Sequence, residues 1–448
     1  MATIAFRYSN PEKQWQACPP EPSAPKADLL PTGRSFQRMN GFGGCFNEAG
    51  YQTLCTLPGT IQEEILAELF GQGENQAHLT HCRLPVGAND YSLDWYSLNE
   101  TPGDYAMERF SLERDERLLI PYIKRALQYN PALKLFASPW SPPCWMKDPP
   151  VYNWGKLVKI PENLRAYALY LCRFVEEYGK RGISIGQLHV QNEPVANQKF
   201  PSCMWTGEEL RDFIRDYLGP MMRERALPCE LWLGTINAPG CDYNRLLFDK
   251  WATEDYDYFA HTVLSDEKAL EYVAGVSYQW GGKIAIQRTF ESWWPRIRLM
   301  QSENECGFGD NTWEYALYNF TMLKHYLSNG AESYLYWNLL LPPLGRSTWG
   351  DPQNAMITVD PQAQRVTYNP DYYVMKHFSA IVPDGSARLE MSGPWAGDAV
   401  AFETPSGELA MAIMNPFQDA RLMTVAWKGE NHTFRLPPRS VGSVEIKP

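Results

Sequence analysis

Short apolar segments alternate with longer amphipathic segments over most of the chain. The apolar segments are rich in β-branched and aromatic residues, whereas the amphipathic ones repeat apolar residues at i, i+3 and i+4, as helices do. This alternation is typical of βα units around a parallel sheet. Eight segments are predicted as strands: Gly41–Phe46, Leu79–Gly87, Leu133–Trp140, Gln187–Pro194, Glu230–Asn237, Ala274–Trp280, Arg296–Glu303 and Ala331–Leu340. Eight strands are what a closed (β/α)₈ TIM barrel requires, so the sequence predicts this α/β fold.

Helices are predicted between these strands, and capping signals mark where two of them begin. Thr206 with Glu209 is a capping box, which opens a helix that runs through Arg225. Asn311 with Glu314 three residues later indicates another helix start. Three further helices follow from periodicity alone: Ile61–Phe70, Glu116–Asn130 and Pro161–Gly182.

The pattern changes after about Ala387. Apolar and polar residues then alternate over short stretches separated by Gly, Pro and Asn, which predicts antiparallel strands joined by turns. The segment Ile4–Ser9 is a candidate for one more strand of this sheet. The predicted division is residues 1–34 as an N-terminal segment contributing to a β-sandwich, residues 35–385 as the catalytic barrel and residues 386–448 as the C-terminal sandwich.

Composition and charge narrow the classes of partner. The 448 residues suffice for a barrel of about 250 residues and a second module. A net charge of −11 argues against a nucleic-acid or anionic-membrane partner, because phosphate binding needs a basic surface. No apolar run is long enough to span a membrane, and the N-terminus lacks the features of a signal peptide, so a cytoplasmic location is expected; a chain whose leader had been removed would be a secreted protein instead. No pattern predicts an oligomeric state.

Metals and disulfides have little support in the sequence. The seven His are not paired at ligand spacing, and the ten Cys are scattered without a CxxC pair. Neither a Walker motif nor a dinucleotide fingerprint is present. We therefore expect no metal and no cofactor.

Two glutamates follow predicted strands at the end that carries the active site in such barrels. Strand four ends in QNEP, which contains Glu193, and strand seven ends in QSE, which contains Glu303. The two carboxylates should face each other across the barrel mouth. One protonated and one ionised carboxyl group flanking a bond is the arrangement that glycoside hydrolysis needs. Strand alternation puts Glu305 on the same face as Glu303, so it is a second candidate for the strand-seven carboxylate.

Further motifs lie in a fixed order along the whole chain. They are GFGGCF at Gly41, RLP at Arg83 followed by NDYS at Asn89, SPWSPPCWMK at Ser138, WNL at Trp337 and DYY with HFS from Asp371 to Ser379. Together with NEP on strand four and SE on strand seven, these motifs resemble glycoside hydrolase family 30 of clan A, whose members include glucosylceramidases.

The resemblance implies a retaining β-glycosidase with Glu193 as general acid/base and Glu303 as nucleophile. The family places its nucleophile directly after Ser or Thr, which selects Glu303 over Glu305. Burial and the neighbouring carboxylate should raise the pKa of Glu193, and retention implies carboxyl groups about 5–5.5 Å apart. Glu305 would then support the site, and Arg83 would orient the carboxylates.

A carbohydrate pocket needs aromatic walls and a few polar groups that fix orientation. The residues predicted to bind substrate are Asp90, Trp140, Asn192, Tyr278, Trp280, Trp337 and Asn338. Asn192 would bind the sugar 2-OH, and in the family the aspartate at the position of Asp90 binds sugar hydroxyls. For each Trp the competing interpretation is core packing, and for Asn192 it is a turn before Pro194.

The predicted substrate is a β-linked glucoside or a β-1,6-glucan, cleaved by exo action. The chain departs from many relatives in NEAG after the first strand and in YQW on strand six, both at the pocket rim. An endo-acting enzyme, or one that acts on a xyloside, fucoside or galactoside, is therefore an alternative. A less favoured one is an inactive carbohydrate-binding protein.

Overall fold

The structure is a computed structural model that describes residues 3–237, 259–292 and 294–447. The strands in this part of the chain are β1 Thr3–Ser9, β2 Gln16–Ala17, β3 Leu30–Arg38, β4 Gly41–Cys45, β5 His81–Val86, β6 Lys134–Pro139, β7 Lys147–Asp148, β8 Lys156–Leu157, β9 Gln187–His189, β10 Glu230–Ile236, β11 Val273–Gln279, β12 Arg298–Glu303, β13 Ala331–Asn338, β14 Leu340–Leu341, β15 Ile357–Asp360, β16 Arg365–Tyr368, β17 Ala387–Ser392, β18 Ala399–Glu403, β19 Leu409–Asn415, β20 Arg421–Trp427, β21 Glu430–Leu436 and β22 Ser440–Lys447.

The α-helices of the same residues are α1 Glu48–Leu54, α2 Gly59–Phe70, α3 Leu119–Tyr129, α4 Pro161–Lys180, α5 Gly207–Phe213, α6 Gly219–Glu224, α7 Phe259–Leu264, α8 Glu267–Leu270, α9 Lys283–Glu291, α10 Trp313–Ser328 and α11 Pro370–Ser379. None of these helices is long and apolar enough to cross a membrane. Nine of the ten cysteines lie in the described residues and are free thiols; Cys241 lies outside them.

Eight parallel strands close into a barrel in the order β4, β5, β6, β9, β10, β11, β12 and β13. Each corresponds to one predicted strand, so the predicted barrel is confirmed. The fourth strand, β9, ends at His189, earlier than the prediction. The QNEP segment that follows it is therefore a loop at the barrel mouth, not the end of a strand.

The lower half of the barrel is filled by side chains. Phe136, Trp232, Met300 and Leu335 form a buried cluster inside it. The His189 ring stacks on Phe136 at 4.2 Å between centroids, and its Nδ1 lies 2.7 Å from Ser277 Oγ. Burial lowers the pKa of His189 well below its usual value, so the ring is neutral. Because this layer is packed, any pocket must lie above it, at the carboxyl ends of the strands.

The glycine-rich first strand lets two strands approach closely. A Cβ at Gly43 would lie 1.8 Å from the carbonyl oxygen of His81 on β5. No residue larger than glycine fits this contact without moving one strand. The close approach brings Cys45 opposite Arg83 in the register of β4 and β5.

The second module is an antiparallel β-sandwich, as predicted. A seven-stranded sheet runs in the order β2, β1, β22, β19, β18, β17 and β3, and a hairpin of β20 and β21 accompanies it. The N-terminal strand β1 pairs with β22 along its whole length. His377 on α11 lies within hydrogen-bond distance of Ser9 and Ser443, at 2.9 and 3.0 Å. This contact ties the last barrel helix to the sandwich.

Two helix predictions need correction in detail. The capping box of Thr206 and Glu209 is present, but the helix it opens is interrupted by a π-helical turn at residues 214–218, between α5 and α6. The second cap is Thr312 instead of Asn311: the Thr312 hydroxyl accepts from the Tyr315 N–H at 3.3 Å. Asn311 has a φ of 48°, and its side chain accepts from the Ala355 N–H at 3.1 Å.

Candidate active site

Six polar side chains meet inside the barrel mouth, each from a different strand or from the loop that follows it. They are Arg83, Ser138, Asn192, Thr235, Gln279 and Glu303. All lie above the packed layer, at the carboxyl ends of the strands. The sequence predicted Arg83, Asn192 and Glu303 for this site, and the structure brings these three together.

Glu303 is the last residue of β12, and only 9% of it is exposed. Its Oε2 accepts from Arg83 Nη1 at 2.5 Å and from Gln279 Nε2 at 2.9 Å. Arg83 is itself fully buried, and its Nε donates to Ser138 Oγ at 3.0 Å. One carboxylate oxygen is thus held by two donors, whereas none of the residues that the structure describes donates to Oε1.

Asn192 is oriented by the same network. Its Oδ1 accepts from Arg83 Nη2 at 2.5 Å, from Gln279 Nε2 at 2.8 Å and from the Thr235 hydroxyl at 2.9 Å. Three donors around one oxygen fix the orientation of the amide. The Nδ2 group is then the part of the side chain that remains for a ligand.

Glu193 lies in the loop after β9 in an unusual backbone conformation. Its φ is 47°, in the left-handed region that non-glycine residues rarely adopt, and such strain is common at functional sites. Its N–H donates to the Thr235 carbonyl at 2.9 Å, which holds the loop against β10. The side chain is part-exposed and bonds to Asn237.

Electrostatics separate the two carboxyl groups. Burial raises the pKa of Glu193 well above its usual value, and the charges of Glu303 and Asp90 raise it further, against the opposing effect of Arg83. Burial also raises the pKa of Glu303, but the charge of Arg83 and its hydrogen bond oppose that shift directly. Glu193 is therefore the group that keeps a proton, while Glu303 ionises first.

Asp90 is a third carboxyl group in the site. Burial raises its pKa to about 7, with a contribution from Glu303, while Arg83 and the Trp337 side chain lower it. Its Oδ1 is buried and has no hydrogen-bond partner among the described residues. An unpaired buried acceptor suits a ligand that brings hydroxyl donors. The backbone of Asp90 is fixed by Thr348, whose N–H donates to the Asp90 carbonyl at 2.9 Å.

Trp140 and Trp337 reach the site, but they contact Arg83. The guanidinium carbon lies 4.3 Å from the ring centroid of Trp140 and 5.2 Å from that of Trp337. Each Trp is only 1% exposed, and their ring centroids are 5.5 Å apart. The two rings hold the arginine in place by cation–π contact. Their predicted role as sugar-binding walls remains a prediction.

Tyr278 lies outside the site, which corrects the prediction for this residue. Its hydroxyl bonds to Thr289 Oγ1 on α9 at 2.5 Å, in the core between the barrel and its helices. Alternation explains why: Ser277 points inward to His189, so Tyr278 points outward and Gln279 inward again. The sequence prediction missed three residues of the site, Ser138, Thr235 and Gln279, and for Gln279 this alternation was the signal. Trp280 follows in a 3₁₀ turn and is part-exposed at the rim.

Asn338 also lies outside the pocket, contrary to the prediction. Its Nδ2 donates to Gln353 Oε1 at 3.0 Å and to the Asn354 carbonyl at 3.1 Å, so it braces the loop beyond β14. Glu305 accepts from the Tyr318 hydroxyl on α10 at 2.6 Å. That bond directs the Glu305 carboxylate toward α10, and the choice of Glu303 as the nucleophile stays a prediction.

Replacing Arg83 by methionine is expected to lower the free energy of unfolding by about 3–5 kcal/mol, because it leaves Glu303 buried without its cation. Arg83→Lys should restore only part of this loss, because the lysine ammonium lacks the planar, five-donor geometry with which the guanidinium reaches Glu303, Asn192 and Ser138 at once. Denaturant unfolding measures both. Unfolding of Arg83→Met at the wild-type midpoint would contradict the assigned role of the ion pair.

Comparison with known proteins agrees with this architecture. Residues 39–382 match the glycosyl hydrolase family 30 TIM-barrel domain, and residues 385–444 match the glycosyl hydrolase family 30 beta sandwich domain. The chain is 29% identical to putative glucosylceramidase 1 of Caenorhabditis elegans, over 93% of this chain and 82% of the relative. It is 25% identical to the endo-1,6-beta-D-glucanase of Neurospora crassa, over 90% and 83% of the two chains.

The fold also has a close match among solved structures. The crystal structure of SrfJ from Salmonella typhimurium aligns over 100% of both chains with a TM-score of 0.86 and 25% identity. The family and the glycoside hydrolase activity predicted from the motifs are thereby confirmed. Since the barrel match alone covers more than half of the chain, the protein belongs to glycosyl hydrolase family 30.

Proposed function

We propose that the protein is a retaining β-glucosidase in which Glu303 is the nucleophile and Glu193 the general acid/base. The observation that carries the proposal is the unequal environment of the two carboxyl groups. Glu303 is paired with Arg83 at 2.5 Å, whereas Glu193 has no ion-pair partner within 4 Å among the described residues. A double displacement needs one ionised and one protonated carboxyl group at the same bond.

The first step forms a glycosyl-enzyme. Glu303 Oε1, the oxygen that accepts from neither Arg83 nor Gln279, attacks C1 of the sugar and forms an ester bond as the glycosidic C1–O bond breaks. Glu193 gives its proton to the departing oxygen, so that the aglycone leaves as an alcohol. Asn192 donates from Nδ2 to the sugar 2-OH in this mechanism, a contact that strengthens in the transition state. Asp90 Oδ1 accepts from another sugar hydroxyl.

The second step releases the sugar. Glu193, now a carboxylate, takes a proton from water, and the water oxygen attacks C1 while the ester bond to Glu303 breaks. The pKa of Glu193 falls at this stage because the negative charge of Glu303 is consumed in the ester. Two inversions at C1 return the β configuration.

Glucose is the proposed glycone. The names of the two curated relatives, a glucosylceramidase and a 1,6-beta-D-glucanase, both refer to glucose. The two relatives are named for different aglycones, so the aglycone of this protein is not proposed from them. Residues at the rim of the pocket would select it.

Contacts across the barrel mouth support exo action. The loop after β9 carries Phe200 and the loop after β14 carries Trp349, and their ring centroids are 5.5 Å apart. Lys199 lies over the same Trp349 ring at 4.5 Å. The loops come from the fourth and eighth barrel strands, which stand opposite each other, so the contact narrows the mouth. A narrowed mouth favours a pocket that admits one chain end.

A panel of aryl β-glycosides tests the substrate class. We expect the glucoside to be cleaved faster than the xyloside, fucoside and galactoside, with the β-anomer of glucose released first in proton NMR spectra. On a β-1,6-glucan, an exo enzyme should release glucose alone from the start. Oligosaccharides as first products would show endo action, and an initial α-anomer would contradict the retaining mechanism.

A further inference from the structure

Gln279 bridges the two groups that the proposed mechanism needs most. Its Nε2 lies 2.9 Å from Glu303 Oε2, 2.8 Å from Asn192 Oδ1 and 3.0 Å from Thr235 Oγ1, and the side chain is fully buried. We infer that Gln279 is a positioning residue that selects Oε1 of Glu303 as the attacking oxygen and keeps Asn192 aligned with the sugar 2-OH. The inference rests on the proposed function, because it takes Glu303 as the nucleophile.

The surroundings fix which way the Gln279 amide faces. Three oxygens surround its nitrogen, while its Oε1 is buried without a partner among the described residues. The opposite orientation would place Oε1 against the oxygens of Glu303 and Asn192, which is repulsive. The Thr235 hydroxyl donates to Asn192, so the two N–H groups of Gln279 serve mainly Glu303 and Asn192.

Gln279 and Arg83 divide the work on Glu303. Both donate to the same oxygen, Oε2: Gln279 from β11, which is adjacent to β12, and Arg83 from β5, three strands away on the other side. Arg83 supplies the charge that favours the ionised carboxylate, whereas the neutral amide adds a second direction of restraint without adding charge. Two donors that hold Oε2 from different directions restrain rotation of the carboxylate about its Cγ–Cδ bond. Oε1 therefore remains directed away from Arg83 and Gln279.

The backbone of Gln279 is fixed as well. Gln279 is the last residue of β11 and pairs with Glu303 in the register of β11 and β12. The Tyr326 hydroxyl on α10 donates to the Gln279 carbonyl. With backbone and amide both fixed, a change at Gln279 should affect the transition state more than substrate binding, because attack at C1 depends on alignment.

The experiment uses Gln279→Met, which keeps the length of the side chain but removes both donors, and Gln279→Glu, which replaces the donor by a like charge. For Gln279→Met we expect kcat on an aryl β-glucoside to fall by about 10–100-fold, as for loss of a hydrogen bond to a charged group, with KM changed less than about threefold. The acidic limb of kcat/KM against pH should move to higher pH in both variants, and further in Gln279→Glu, because the ionised form of Glu303 loses support. Gln287→Met, the same change at an exposed position of α9, is the matched control.

Two results would overturn the inference. One is wild-type kcat and an unmoved acidic limb in Gln279→Met. The other is a lower kcat together with a lower Tm and an unmoved limb in both variants, which would make Gln279 merely structural. Covalent labelling of the wild-type enzyme separates this inference from the proposed function: if Glu303 is labelled and Gln279→Met behaves as wild type, only the inference fails, whereas a label elsewhere overturns the proposed function.

Discussion

Replacing Glu303 by glutamine is expected to lower kcat on aryl β-glucosides by about 10⁴-fold or more, as loss of a covalent nucleophile does in other enzymes. The amide cannot form the ester intermediate, and an activated leaving group cannot compensate because the missing step is bond formation at C1. The change also leaves Arg83 with a neutral partner at 2.5 Å. Initial rates of the purified variant and wild type measure the effect, and their Tm values show that both are folded.

Glu305→Gln is the matched control for this prediction. It makes the same substitution two residues further on, where the carboxylate accepts from the Tyr318 hydroxyl at 2.6 Å. A glutamine oxygen can accept the same bond, so activity should stay within about tenfold of wild type. If Glu305→Gln were inactive and Glu303→Gln active, the nucleophile would have been assigned to the wrong glutamate.

Replacing Glu193 by glutamine is the second large effect, and its size should depend on the leaving group. General acid catalysis contributes about 10²–10⁴-fold, so alkyl glucosides, whose alkoxides leave poorly, should lose that much in kcat/KM. An aryl glucoside with a strongly acidic phenol needs no proton to leave. For it the first step should stay fast and the second should slow, which gives a burst of released phenol.

The pH dependence of the Glu193→Gln variant adds an independent check. In the wild type, activity requires protonated Glu193, so it should be lost as pH rises through the raised pKa of that group. Glutamine does not titrate in this range, so the alkaline limb of the profile should disappear while the acidic limb, set by Glu303, stays. A uniform loss over all leaving groups, with both limbs retained, would assign the acid/base role to another residue.

The architecture was predictable because hydrophobic periodicity is a local signal. Each barrel strand is a short apolar run, and each predicted run became one strand of the barrel. The same strand predictions placed Glu193 and Glu303 at the barrel mouth, because the carboxyl ends of parallel strands converge on one face. The early end of β9 at His189 was not predictable from local pattern, since neither Gly nor Pro separates His189 from Glu193, where the backbone turns.

The errors arise where side-chain direction decides the role. Tyr278 and Gln279 are neighbours on β11, and only inward Ser277, bound to His189, tells which of the two faces the pocket. Aromatic type suggested Tyr278, but period-two alternation selects Gln279. The prediction for Asn338 was wrong for a different reason. Its partners Gln353 and Asn354 lie in a loop whose path no local sequence pattern indicates.

Covalent trapping tests the central claim most directly. The enzyme would be incubated with a 2-deoxy-2-fluoro-β-glucoside that carries a good leaving group, because fluorine slows the second step and lets the glycosyl-enzyme accumulate. Peptide mass spectrometry then locates the sugar. The account predicts a single adduct on Glu303, absent in Glu303→Gln and unchanged in Glu305→Gln; an adduct on Glu305 or Glu193, or turnover of glucosides without any adduct, would contradict it.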